Sequence, residues 1–222
     1  MSPPRSGTTS TEPTGDPYER PRSRMVARQL VRRGIGDPRV LAAMASVPRE
    51  EFVPDDRRRD AYRDGALRIG GGQTISQPWV VAFMAQLLEL RGTELVLEVG
   101  TGSGYAAAVL SELCAGVIAI ERDPALADAA STRLDKLGYA SVEVRTGDGA
   151  RGAPDQAPFG GISVAAVAQN DAPRALREQL APGAALICPV RAGDDERLIR
   201  IRDGGWEPFS AVRFVPLVTG DG

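Results

Sequence analysis

The chain has 222 residues, with 27 basic and 29 acidic side chains, a formal charge of −2 and no histidine. The missing imidazole excludes Ser-His-Asp and Cys-His catalysis, His-ligated metals and a histidine general base, and two cysteines, Cys114 and Cys188, are too few for a Cys-rich zinc site or a disulfide framework. Lys136 is the only lysine, which disfavours Schiff-base chemistry, and the balanced charge argues against binding nucleic acid by phosphate neutralisation.

Residues 1–20 are rich in Pro, Ser, Thr and Gly and read as a disordered tail. Residues 21–222 read as one domain, with a helical, substrate-side segment at 21–76 and a core at 77–222. No run of about 20 apolar residues is present to span a membrane, and the N-terminus lacks the apolar stretch of a signal peptide. The two cysteines read as reduced thiols, so a cytoplasmic location is expected. MVARQLVRRG, from Met25, has the apolar spacing of a short helix that Gly34 closes. Asp37-Pro38 suits the N-cap and first turn of a second helix, PRVLAAMASV, ending before Pro48. The arginines between 20 and 33 read as a solvated helix face.

From residue 77 helices and strands alternate. QPWVVAFMAQLLEL is helical, LVLEV (95–99) a strand, YAAAVLSELC (105–114) a helix and VIAIE (117–121) a strand. PALADAASTRLDKLG (124–138) is a helix capped by Asp123 and stopped by Gly138, followed by a strand at 141–145 and another at 160–167. PRALREQL (173–180) reads as a helix and ALICPV (185–190) as a fifth strand. RLIRIRD (197–203) and WEPFSAVRFVPLV (206–218) form a hairpin turning at Gly204-Gly205. The expected fold is α/β: a doubly wound, mostly parallel, Rossmann-like sheet with an antiparallel C-terminal hairpin and N-terminal helices.

The most informative segment is VLEVGTGSGY (96–105), a strand running through three glycines into a helix. Glycine allows the sharp turn and close ligand approach, and the helix start favours a polar or anionic group. A dinucleotide fingerprint would place its third glycine at Tyr105. G-x-G-x-G after an acidic residue, Glu98, instead resembles the first motif of class I methyltransferases, which bind S-adenosylmethionine (SAM). Glu121 ends the second core strand in the slot of a ribose-binding carboxylate, and Asp148, between Gly147 and Gly149, lies where those enzymes hold the adenine edge. The expected cofactor residues are Glu98, Gly100, Thr101, Gly102, Ser103, Gly104, Glu121, Arg122, Asp148 and Gly149, with no metal.

GGQTISQP within residues 68–90 resembles one family in particular, protein-L-isoaspartate O-methyltransferase. VPREEFVP (47–54), AYRDGALRIG (61–70), IERDPALADAA (120–130), EVRTGDGARG (143–152) and VRFVPLV (212–218) agree, so the resemblance runs from about 25 to 219. It implies transfer of the SAM methyl to the α-carboxylate of an L-isoaspartyl residue in damaged proteins or peptides, giving an ester that collapses to a succinimide. It also implies that the Ser76 hydroxyl lies next to the reacting carboxylate, with Thr74, Ile75 and Gln77 shaping that pocket. Ser76, two residues before Pro78, also reads as a helix N-cap. A monomer is expected, with no nucleic-acid or membrane partner.

The chain departs from the family pattern in its fourth strand, APFGGISVAAVAQNDAP (157–173), where Gly160 stands for the usual Asp and Ala165 for the usual Thr. Ala153 replaces the usual Trp and Ala184 a usual Gly. Adjacent glycines 160 and 161 should weaken a central strand. Two alternatives therefore stand beside repair methylation: a carboxyl methyltransferase of the same fold with a dedicated peptide substrate, and a SAM-binding protein with weak catalysis. A NAD-dependent dehydrogenase is the formal alternative outside the class.

Overall fold

The computed structural model describes residues 15–70 and 72–220. Most of the expected tail, residues 1–14, lies outside the described residues. The first helix starts earlier than its apolar spacing implied. Helix α1 (Glu19–Met25) runs on through a π turn (Val26–Leu30) and a 3-10 turn (Val31–Arg33), and Gly34, at φ 88°, ends it. The extra turn is tied down by Arg22, which donates to the Tyr62 hydroxyl (2.8 Å) and Glu50 (2.9 Å). In α2 (Pro38–Ser46) Asp37 is the N-cap as expected, accepting from the backbone N–H of Arg39 at 2.8 Å.

The segment before the core is not helical throughout. Strands β1 (Leu67–Gly70) and β2 (Gln73–Ile75) form an antiparallel hairpin with a register break between Arg68 and Gly70. It leads into α3 (Pro78–Leu88), whose N-cap is Gln77, not Ser76, and has no side-chain cap.

The core strands are β3 (Leu95–Val99), β4 (Gly116–Glu121), β5 (Val142–Thr146), β6 (Phe159–Val164), β7 (Ala168–Gln169), β8 (Leu180–Ala192), β9 (Asp195–Arg202) and β10 (Gly205–Ala211). Seven lie in the order β10-β9-β8-β6-β3-β4-β5, with β7 pairing β8 beyond the end of β6. Pairs among β5, β4, β3, β6 and β8 are parallel, while β8–β9 and β9–β10 are antiparallel. Alternating residues supply two cores. Val96, Val117 and Ile187 face α2, α3 and α4 (Tyr105–Ser111), and Leu97, Ile118 and Leu186 face the opposite layer. α5 (Pro124–Leu137) has its expected cap, Asp123, and stop, Gly138 at φ 83°. The chain lays down β3, β4 and β5 outward, then returns to place β6 on the other side of β3. A cleft opens at such a reversal, outside the C-terminal strand ends.

Three expected elements are corrected. Helix 173–180 shrinks to α6 (Arg174–Arg177), because Gln179 O accepts from Phe159 N (2.8 Å) and Leu180 already begins β8. The hairpin turns at Asp203-Gly204 (φ 49° and 77°), the positive pair of a type I′ turn, and Gly205 pairs with Arg202. Strand β10 stops at Ala211, after a register break beyond Pro208, and residues 212–220 fold back across the C-terminal strand ends. Val167 holds that return through Val215 O and Leu217 N, both at 2.8 Å.

The paired glycines of β6 have a packing cause. A Cβ on Gly160 would lie 2.6 Å from Cβ and Cγ of Glu94, and one on Gly161 3.2 Å from Leu90 Cδ2. Glu94 occupies that space to accept backbone N–H bonds from Arg91 (2.9 Å), Gly92 (2.8 Å) and Thr93 (3.0 Å), closing the turn from α3 into β3. No described helix is long and apolar enough to cross a membrane.

Candidate active site

The loop after β3 needs its glycines, with Gly100, Gly102 and Gly104 at φ 84°, 53° and 87°. Ile120 O anchors it by accepting from Gly100 N (2.8 Å) and Thr101 N (3.2 Å). Gly104 packs on α5, where a Cβ would come within 3.1 Å of Leu134 Cδ1. Glu98 is buried and accepts from Thr101 Oγ1 at 2.6 Å. Burial pushes its carboxyl up to about 7, nearby Glu121 adding to the rise against the pull of the Thr101 hydrogen bond.

Glu121, at the end of β4, accepts from the backbone N–H of Gly102 (2.9 Å), Arg122 (2.8 Å) and Asp123 (3.1 Å). Asp148, after β5, accepts from Ala150 N and Gly220 N, both at 2.9 Å. Glu98 and Glu121 thus lie at the C-terminal ends of β3 and β4, and Asp148 just beyond β5, three adjacent parallel strands whose ends border an open cleft.

The structure gathers most of the expected site residues on this cleft. Glu98, Gly100, Thr101, Gly102, Ser103, Glu121, Arg122 and Gly149 line it, as do Thr74, Ile75 and Ser76 from the hairpin side. Gly104 lies behind the loop as the N-cap of α4, and Asp148 sits behind Gly149 with its side chain 8% exposed. Gln77 faces a second, adjoining cleft with Arg33, Trp79 and Arg213. Thr74, Ser76, Ala165 and Val215 line both clefts and mark the passage between them.

The comparisons with known proteins bear on this geometry. Residues 21–222 match the family model described as protein-L-isoaspartate(D-aspartate) O-methyltransferase. The chain belongs to this family. It is 49% identical over 225 residues to a protein-L-isoaspartate O-methyltransferase of Methylorubrum extorquens, covering 99% of this chain and 97% of that one. It is 51% identical over 207 residues to protein-L-isoaspartate O-methyltransferase 2 of Marinobacter nauticus (90% and 94% covered). A solved protein-L-isoaspartate O-methyltransferase superposes with a TM-score of 0.77 at 26% identity, covering 90% of this chain and 66% of that one, so this chain spans about two thirds of that protein. A Plasmodium falciparum structure in complex with S-adenosyl-L-homocysteine has the same fold, with a TM-score of 0.76 at 22% identity over 90% of this chain and 99% of that one.

Within this methyltransferase fold, two features escaped sequence reasoning. One is Arg49, fully buried, which donates to Ala61 O and Ser76 O (2.7 Å each) and stacks over the Tyr105 ring at 4.7 Å. In a run as charged as VPREEFVPDDRRRD, nothing local separates it from the solvated arginines. The other is the wall of Val215, Pro216, Leu217 and Val218, supplied by the returning segment that the sequence reading placed in a strand. The departure at Ala165 lies at the passage itself, whereas Gly160 sits away from it against Glu94.

Proposed function

We propose that this chain transfers a methyl group from SAM to the α-carboxylate of L-isoaspartyl residues in damaged proteins, beginning their repair through a succinimide. The observation that carries this reading is the passage at Ser76 and Ala165, which joins an acidic cleft to a second one flanked by arginines. Opposite charges on the two sides suit a cationic methyl donor and an anionic acceptor.

The donor set fits SAM. Glu98 and the glycine loop would hold its cationic methionine end, Glu121 the ribose hydroxyls, and Asp148-Gly149 the adenine edge, with Arg122 at the rim. When bound, SAM supplies a methyl already activated by its sulfonium. A carboxylate with an ordinary pKa near 4 is ionised at pH 7, so no general base is needed and the absence of histidine is no obstacle. The chain's work is orientation: Ser76, Thr74, Ile75 and Gln77 would hold the acceptor oxygen in line while the walls of both clefts exclude water. A nicotinamide dinucleotide suits the site less well. The N–H groups of Gly100, Thr101, Gly102 and Gly104 are already bonded within the protein, and a pyrophosphate would face Glu98 and Glu121.

A cytoplasmic monomer completes the reading. Cys114 and Cys188 are unpaired, and burial pushes their thiols up to about 11 and about 12, values of unreactive packing residues.

The test is incubation with methyl-labelled SAM and paired peptides that differ only in L-isoaspartate or L-aspartate. Base-labile label on the isoaspartyl peptide alone is expected. Label on neither, with SAM binding intact by calorimetry, overturns the proposal.

A further inference from the structure

The second cleft holds two arginines, Arg33 and Arg213, and no carboxylate lines it among the described residues. Arg33 is a fixed cation. Its guanidinium lies 4.4 Å from the Trp79 ring centroid, Trp79 stacks on Phe83 (4.8 Å, 16°), and Phe83 meets Phe209 edge-on (5.7 Å, 81°). Trp79 Nε1 donates to Arg33 O at 3.3 Å, closing the unit. On the outer side Arg33 Nη1 reaches Asp64 at 3.2 Å, and Asp64 also accepts from Gln77. Only one of the three guanidinium nitrogens is engaged there, so the planar fork retains donors for a second carboxylate. Arg213 lies in the field of Glu196, but that carboxylate already serves Arg191 and Phe214 N.

We infer that Arg33 and Arg213 form a subsite for a second carboxylate of the substrate, the side chain of an Asp or Glu close in sequence to the isoaspartyl residue. This deepens the proposed function and rests on it. The methyl-accepting carboxylate sits at the passage beside Ser76, and a neighbouring acidic side chain is then carried outward along a cleft lined by two arginines and, among the described residues, by no carboxylate. A lysine or arginine at that place meets two cations, one held rigid on an aromatic stack. The consequence is discrimination among damaged proteins, with isoaspartyl sites in acidic segments repaired ahead of those in basic ones.

The experiment uses isoaspartyl peptides acetylated and amidated at their ends, so that the only second carboxylate is a side chain. Glu, Gln or Lys is placed in turn at each position flanking the isoaspartate. At the sensitive position kcat/KM is expected to fall about fivefold or more from Glu to Lys, mainly through KM, and the ratio should shrink as salt is raised. Free-ended peptides with Gln flanks distinguish a terminal carboxylate as the source. Arg213→Gln and, separately, Arg33→Gln should bring the Glu-to-Lys ratio towards one, whereas Asp64→Asn, which releases Arg33 from its partner, should widen it. Should Arg33→Gln loosen the Trp79 stack, Arg213→Gln and Asp64→Asn still decide the matter. Equal kcat/KM for Glu and Lys peptides at every position, with isoaspartate still strictly required, overturns the subsite and leaves the methylation reading standing. Loss of the isoaspartate requirement overturns the methylation reading instead.

Discussion

The backbone carbonyl of Ser76 accepts a 2.7 Å hydrogen bond from Nη2 of Arg49, so a buried cation fixes the residue at the passage between the two clefts. The same guanidinium holds Ala61 O, tying the start of the hairpin segment to its end. Burial lowers its affinity for the proton, opposed by the Tyr105 hydroxyl, and Nη1 has no hydrogen-bond partner among the described residues. Arg49→Lys keeps the charge but cannot reach both carbonyls. Each lost bond to a charged donor is worth about 1.5–3 kcal/mol. The variant should unfold at lower denaturant and show faster amide exchange at residues 73–77, with kcat falling further than KM rises.

Ser76→Ala separates chemistry from stability. Since Gln77 rather than Ser76 is the N-cap of α3, the hydroxyl has no capping energy to lose. Urea titration should place the variant within about 0.5 kcal/mol of the parent. Methylation of the isoaspartyl peptide should drop by about tenfold or more. A stability loss typical of a lost N-cap, about 1 kcal/mol, would return Ser76 to a structural role.

Glu98 gives the ligand-free protein a definite pH response. Its carboxyl rises from 4.5 to about 7 on folding, chiefly because burial disfavours the charged form. Below the unfolded value it is neutral in both states. Between 4.5 and about 7 the unfolded chain ionises while the folded one retains its proton, so stability declines as pH rises through this window and levels off above it. Glu98→Gln should be no more stable than the parent near pH 4 and more stable at pH 8, by thermal unfolding across that range. A cationic ligand favours the ionised form, so SAM binding should release a proton near pH 6. Calorimetry in buffers of different ionisation enthalpy detects it, and the Gln variant should lack it.

Glu94 and Gly160 should behave as a coupled pair. Gly160→Ala places a methyl 2.6 Å from the Glu94 side chain, and overpacking of this kind costs about 1–3 kcal/mol. Because the clash involves Cβ itself, Glu94→Ala cannot relieve it, whereas Glu94→Gly can. A double-mutant cycle with Glu94→Gly should return a coupling energy of about 1 kcal/mol or more. Additivity would refute the packing account. The backbone N–H bonds that hold Glu94 outweigh its desolvation and keep its carboxyl below the ordinary range, so its contribution is present at neutral pH and lost in acid.

Much of this was legible in the sequence, and the exceptions have causes. The strands β3 and β4, the caps Asp37 and Asp123 and the stop at Gly138 follow from local chemistry, and the structure has them. GTGSGY with Glu98, Glu121 and Asp148 gave the acidic cleft because residues ending neighbouring parallel strands must converge. Arg49, Glu94 and the wall at residues 215–218 were out of reach, since each depends on a partner distant in sequence or in fold. The hairpin at residues 67–75 escaped because its strands are too short for alternation to register. Gly160 illustrates the point most sharply: read locally it weakens a strand, and read against Glu94 it is the residue that fits.

The two open edges of the sheet carry a further consequence. One is β10, where Pro208 removes a donor and the register breaks before Ala211; the other is β5, which presents Glu143 and Arg145 in an ion pair. Proline, irregular register and outward charges make poor templates for an incoming strand. With both borders blunted in this way, edge-to-edge pairing between copies of the sheet is disfavoured.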